Sequence, residues 1–291
     1  MTDNPASLKT RIQSGQPILI VEIAPPAAGD PAPLRAAAKQ FSGKVHAIGV
    51  SDSRHGVCVS SLAAAAVIAA EGVEPVMHLV TRDRNRLALL GSCLGAQALG
   101  VRNILCTSGD HQTLGAGPTA KNVYDIDSIQ LLSAVARLDG GTFCLGAVAA
   151  PFADPPEMQL MRLAKKISAG AEFLITQPVF DLDRFRAWWD QVSQRGLHRK
   201  AAILAGIEPI FDAGQANKLA GSRPRPMMPP QMLDRLASAG DRTAQRAAGS
   251  EIAVETIRQL SSLNGLRGFQ IVAEDAPAAL EIIQRAGLET V

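Results

Sequence analysis

Glu22 stands inside an apolar run, after Ile18-Leu19-Ile20-Val21 and before Ile23, in the stretch VEIAPP. An ionised carboxylate buried there without a partner would cost on the order of several kcal/mol. Two arrangements remove that cost. A desolvated carboxyl with a raised pKa would be a general acid near neutral pH; an ion pair with a neighbouring Lys or Arg would be purely structural. Asp110 lies in SGDHQ, where Gly109 allows a tight turn, and it either projects into a site or caps the next segment. Gln177, between Thr176 and Pro178, offers an amide that can pair with the donor and acceptor edge of a heterocycle or merely satisfy loop backbone. His78, between Met77 and Leu79, reads first as a hydrogen-bonded core histidine.

Two charged stretches are ambiguous in the same way. RDRN, residues 82–85, would bind an anion or charge the start of a helix, and Lys165-Lys166 fall in the last turn of a helical pattern, where the macrodipole favours cations. The cysteines Cys58, Cys93, Cys106 and Cys144 form no CxxC pair and no Cys/His cluster at metal-ligand spacing, so no metal is expected. Cys106 and Cys144 fall in strand-like runs as small hydrophobes, and Cys58 and Cys93 fall in helical patterns.

The elements that must carry these residues repeat. Continuous apolar runs recur at 18–23, 45–50, 75–80, 103–107, 143–149, 173–176, 202–207 and 268–273. They are unbroken rather than alternating, as parallel strands covered on both faces should be. Helical patterns lie between them, for example 84–100, 127–138 and 157–169, and Gly72, Gly100, Gly140 and Gly170 supply helix stop signals. Eight such units in 291 residues predict an α/β fold, a single-domain (β/α)₈ TIM barrel over 1–291 with a polar segment at 1–16. A doubly wound sheet is the alternative, but no GxGxxG follows the first strand. Polar residues gather after the strands, in VSDSRHG, HLVTRDRN, CTSGDHQ, AAPFADPP, ITQPVFD, GIEP and VAED, while the segments entering the strands are plainer. In a barrel the exits are where active sites are built, which points to an enzyme.

Composition narrows the class further. Net charge is +2 with both signs interspersed, so nucleic acid is not an expected partner. The longest small-apolar run, 62–70, is far short of the ~20 residues of a membrane span, and the amino terminus lacks a signal-peptide core, so a cytoplasmic protein off the membrane is expected. The proline-rich stretch GSRPRPMMPP, residues 221–230, reads as a surface connection whose methionines cover core.

Taken in order, VEIAPP, HLVTRDRN, TSGDHQ, KNVYDIDSIQLL, KKISAGAEFLITQPVFD and LAGIEP resemble the methylenetetrahydrofolate reductase family, in its short bacterial form, across residues 19–210. The resemblance implies a barrel carrying a flavin, usually FAD with FMN as the variant. Its reaction is hydride transfer between reduced flavin and 5,10-methylenetetrahydrofolate, giving 5-methyltetrahydrofolate, with NAD(P)H one candidate electron donor that the sequence does not fix. Glu22 matches the family's general acid, which helps open the imidazolidine ring to an iminium. Asp110 matches the aspartate lying between pterin and flavin, and Gln177 the pterin-binding glutamine. Ser51, His78 and Gly109 match flavin-contacting positions, and Lys165 and Lys166 a basic pair facing the flavin phosphates. The chain departs from the family at Ser108, Ala150 and Asp154, where an arginine, a tyrosine and a histidine are usual flavin contacts. Those departures keep open a flavin-poor, reductase-like subunit that binds folate or a partner protein, a flavin-independent NAD(P)H-linked reductase, and a barrel methyltransferase. The implied partners are a folate substrate and either a second copy of the chain or a partner reductase subunit.

Overall fold

The computed structural model describes residues 7–54, 56–114, 120–138, 140–221 and 228–288. The eight apolar runs become β1 (Ile18–Ile23), β2 (Ala47–Val50), β3 (Pro75–Val80), β4 (Asn103–Thr107), β5 (Cys144–Ala149), β6 (Phe173–Pro178), β7 (Ala202–Ile207) and β8 (Gly268–Val272). Each pairs in parallel with the next and β8 closes onto β1, so the sheet is a closed barrel. Helices follow the strands on the outside, giving the (β/α)₈ architecture expected from the repeat.

Side-chain alternation within each strand sorts the core into two parts. Ile18 and Ile20 of β1 join Ala47, Val76, Leu105, Phe173 and Leu204 inside the barrel. Leu19, Val21 and Ile23 belong to the larger cluster beneath the helices. Glu22 shares the inward parity of Ile18 and Ile20. By the same count His78 of β3 and Gln270 of β8 point inward, and Glu208 leaves β7 on the inward side.

Four strands differ from the sequence expectation: β5 and β8 are each one residue shorter at an end, and β2 and β6 differ for identifiable reasons. β2 starts at Ala47 because the His46 ring, not a backbone carbonyl, accepts the Leu19 N–H through Nδ1 at 2.9 Å. β6 runs on to Pro178, with its register against β7 shifting between Ile175 and Pro178, and Thr176 Oγ1 accepts the Gly206 N–H at 2.9 Å. Helices cover Arg86–Ala98, Ser128–Leu138 and Pro156–Ser168, within two residues of the periodic patterns, and Asn85 caps the first by accepting the Ala88 N–H. Cys93 is helical, but Cys58 lies in the loop that leaves β2, a correction to the helical reading of that segment.

Inside the polar amino-terminal segment a short helix, Leu8–Gln13, closes the barrel floor. Leu8 is fully buried against the interior cluster, its N–H donates to Glu74 at 2.7 Å, and Lys9 Nζ donates to the carbonyls of Gly141 and Phe143 at 2.6 and 3.0 Å. Between β7 and β8 the chain adds helices Ala213–Gly221 and Pro230–Ala237 before the long helix Arg242–Ser261. Of the proline-rich stretch there, residues 222–227 lie outside the described residues; Met228 packs beside Ile210, Ala216 and Leu236. Among the described residues no helix is long and apolar enough to cross a membrane.

Candidate active site at the barrel mouth

The carboxyl ends of β1, β3, β7 and β8 bring one polar group together. Glu22 is 9% exposed and both of its oxygens are engaged. Oε1 accepts from Arg54 Nη1 at 3.2 Å, and Oε2 accepts a short hydrogen bond from Gln270 Nε2. Arg54 comes from the loop leaving β2, and its Nη2 lies 3.1 and 3.2 Å from the two oxygens of Glu208. The two arrangements open at the sequence level are thus not exclusive: the inward acid has an arginine partner, and it shares that partner with a second acid. Burial opposes the charge on Arg54, but Glu22 and Glu208 together hold its guanidinium above the usual value. Burial pushes the Glu208 carboxyl up, Arg54 pulls it back, and Glu22 and Glu274 push it further up.

His78 is buried in the same sector. Burial lowers its pKa, against the pull of Glu22 and with the push of Arg54, so the ring is held neutral. The ring has room because residue 49 is glycine: a Cβ there would sit 3.0 Å from His78 Nε2. His78 Nε2, Gln177 Oε1 and Gln270 Oε1 are buried without a hydrogen-bond partner. Buried polar atoms are normally satisfied, so unfilled ones at a barrel mouth point to a ligand. Two of the three are amide oxygens, which suit a ligand edge rich in N–H groups.

The β3 and β4 exits are different. Gly109 makes the expected tight turn at φ +74, and Asp110 beyond it is exposed. Arg82 is 6% exposed; its Nε and Nη2 grip both oxygens of Asp83 at 2.9 Å and its Nη1 donates to the Asp110 carbonyl at 3.1 Å. Arg84 makes a short contact with buried Asp52, whose other bond is accepted from the Val80 N–H at 3.1 Å. Arg86 pairs with Asp125 at 2.9 Å, and Gln112 Nε2 donates to Asp83 at 2.5 Å. The RDRN stretch is therefore a lattice of internal ion pairs, and its arginines are committed to neighbouring acids rather than held ready for an anion. Tyr124 closes the lattice by donating to the Gly109 carbonyl at 3.1 Å.

The remaining sequence candidates spread out. Ser51 is buried beside β1, donating through its backbone N–H to the Ile23 carbonyl at 3.1 Å. Gln177 stands at the end of β6, within reach of the mouth. Lys166 sits in the last turn of Pro156–Ser168 and sends Nζ to the Val148 carbonyl at 2.6 Å; burial, helped by Arg162 and opposed by Asp127, lowers its amine to about 8. Lys165 is exposed and lines a groove of about 700 Å³ on the outer helices, with Leu90, Ile129 and Arg137. At the three departures, Ser108 Oγ accepts the Ser128 N–H at 3.3 Å, Ala150 follows β5, and Asp154 lies 3.7 Å from Arg184. Together these contacts do not fit the phosphate grip implied for FAD: one lysine is bound to the barrel wall, the other faces the outer helices, and the nearby arginines are paired. The partner-less polar atoms of His78 and the two glutamines do suit the polar edge of a heterocycle.

Sequence reasoning missed three members of this group. Arg54 and Glu208 were visible only as parts of loop motifs. Gln270 carried the same signal as Glu22, an amide in the apolar strand GFQIV, and was available to the same argument. Among the described residues no group of three or more His, Cys, Asp or Glu side chains is placed to hold a metal ion.

The sequence profile of methylenetetrahydrofolate reductase matches residues 7–287. A 5,10-methylenetetrahydrofolate reductase of Escherichia coli is 29% identical over 200 residues, covering 68% of this chain and 64% of that protein. A probable methylenetetrahydrofolate reductase (NADPH) of Caenorhabditis elegans is 27% identical over 209 residues, covering 70% of this chain and 31% of that protein. The chain therefore matches about a third to under two thirds of the length of these curated relatives. Among solved structures, an uncharacterised Clostridium thermocellum protein described as binding two copies of 5-methyl-5,6,7,8-tetrahydrofolic acid superposes with a TM-score of 0.65 at 13% identity, covering 96% of this chain and 97% of that one. A 2,3-dimethylmalate lyase superposes with a TM-score of 0.53 at 12% identity, covering 98% and 85%. At such identities the two structures speak for the barrel alone.

Proposed function

The chain belongs to the methylenetetrahydrofolate reductase family, and from that premise we propose that it interconverts 5,10-methylenetetrahydrofolate and 5-methyltetrahydrofolate by hydride transfer at the barrel mouth. The observation that carries this reading is the inward Glu22, buried and bonded to Gln270, at strand exits where the Gln177 and Gln270 amide oxygens have no donor. In the reducing direction Glu22 gives a proton to an imidazolidine nitrogen, the adjacent C–N bond breaks, and the methylene carbon is left as an iminium. Hydride adds to that carbon and completes the methyl group. Gln177 and Gln270 accept N–H groups of the pterin, and neutral His78 packs against the ring system without adding charge. Asp110, exposed at the rim, contacts the folate where it enters, and Ser51 and Gly109 shape the wall on the donor side.

The family resemblance makes a reduced flavin the hydride donor. The paired arginines, the bonded Lys166 and the outward Lys165 favour a flavin held by its ring, FMN or weakly bound FAD, over one held by its phosphates. The same observation supports a second reading, hydride taken directly from NAD(P)H. An absorbance spectrum of the purified protein, alone, with FAD or FMN, and then with methyltetrahydrofolate, separates them. A flavin band bleached by the folate supports the first; a colourless protein that oxidises NAD(P)H only with methylenetetrahydrofolate supports the second. A protein that binds the folate and turns over with neither donor refutes the reductase reading and leaves a binding subunit.

A further inference from the structure

We propose that Arg54 and Glu208 are positioning residues that control when Glu22 carries its proton, with Arg54 moving between the two carboxylates. The inference rests on the reading of Glu22 as the general acid. Nη1 of Arg54 lies 3.2 Å from Glu22 Oε1, and Nη2 lies 3.1 and 3.2 Å from the two Glu208 oxygens, so one guanidinium bridges β1 to the end of β7. The bridge holds one positive and two negative charges. Both carboxylate side chains are nearly buried, 11% and 8% exposed, while the Arg54 side chain is 35% exposed.

Each Glu22 oxygen accepts one hydrogen bond, and the donor on Oε1 is a cation, so a proton on Glu22 and the Arg54 contact oppose one another: neutralising the carboxyl removes the charge that holds the guanidinium there. Gln270 is 5% exposed and fixed in β8. Arg54 belongs to a loop, follows Ser53 in the left-handed region at φ +55, and has a long chain that reaches solvent. It is the donor able to yield. Glu208 keeps the guanidinium in place when it does, so the cation is neither lost to solvent nor left unpaired. The other groups facing this bridge are few. His78 from β3 is held neutral, Gln270 from β8 is uncharged, and Glu274 beyond β8 faces Glu208. A site that must load a proton, deliver it, and then receive a cationic iminium gains from a counter-charge that can shift between two acids.

The test compares Arg54→Gln and Glu208→Gln through the basic limb of the kcat/KM–pH profile for folate reduction. Removing the cation favours the protonated acid, so R54Q should move that limb to higher pH. Removing the second anion leaves Arg54 to Glu22 alone, so E208Q should move it to lower pH, each by about one unit, tenfold in proton concentration. Infrared difference titration, with the Glu22 band identified by its absence in E22Q, should show the same opposite displacements without any turnover. Shifts of the same sign, or profiles superimposable on the unsubstituted protein, would overturn the inference. If E208Q does not fold, Arg54→Lys serves in its place: it keeps the charge but loses the fork, and its limb should lie between those of R54Q and the unsubstituted protein, coincidence with R54Q being fatal. The outcomes separate the two levels. Full turnover in E22Q sinks the general-acid reading itself; an inactive E22Q with unmoved R54Q and E208Q profiles sinks only the control by Arg54 and Glu208.

Discussion

At the exits of β3 and β4 each arginine has an acid of its own, whereas at the exits of β1, β2 and β7 a single arginine is divided between two. Arg82 holds Asp83, Arg84 holds Asp52 and Arg86 holds Asp125, and Gln112 and Tyr124 complete the lattice. Around Glu22, one cation serves two carboxylates, and three nearby polar atoms have no partner. In the first sector every arginine is neutralised, which leaves the exposed Asp110, not a cation, to meet a ligand at its rim. The second is unbalanced in charge and in bonds. Density of charge along a sequence is therefore a poor guide to a binding site; mismatch between donors and acceptors in space is a better one.

The contrast can be broken at several points. Glu22→Gln should lower folate reduction by about 10²–10⁴-fold, the usual worth of a general acid, with the thermal midpoint little changed; steady-state assay beside a melt checks both. Asp52→Ala should do the reverse. It leaves Arg84 unpaired at a mostly buried site and should cost about 3–5 kcal/mol in urea unfolding, while the folded fraction keeps its catalytic pH profile. Gly49→Ala should cost about 1–3 kcal/mol by crowding the His78 ring, and should weaken binding of whichever heterocycle occupies the mouth, read by fluorescence titration. The smallest expected effect belongs to Lys166. Burial lowers its amine to about 8 from an unfolded value of 10.5, so between those values the unfolded chain binds the extra proton and stability rises with pH. Lys166→Met should flatten that rise, seen in melts at pH 7.5, 8.5 and 9.5.

Much of the barrel was legible because parallel strands buried on both faces leave unbroken apolar runs. β1, β3, β4 and β7 match their runs to the residue. β2 did not, because the His46 ring replaces a ladder hydrogen bond, and a ring acceptor leaves no trace in apolar periodicity. Glu22 was legible as an anomaly of the same pattern. Its partner was not: Arg54 and Glu208 are 154 residues apart, and closure of the barrel alone makes them neighbours. RDRN was legible as charge but not as neutralised charge, since Asp52, the partner of Arg84, arrives from the loop that leaves β2. Lys165 and Lys166, adjacent in sequence, part company because a helix turns consecutive residues about 100° from one another.

The helix Leu8–Gln13 has a consequence for traffic. With Leu8 seated beneath the interior cluster and Phe173 within it, side chains fill the barrel from below, so Glu22 is approached from the strand exits. In the proposed reaction, folate and hydride donor would then share that one approach, and product would leave by it. Kinetics should then show competition between the two reactants at high concentration, a queue imposed by the filled interior that Leu8 completes from the far end.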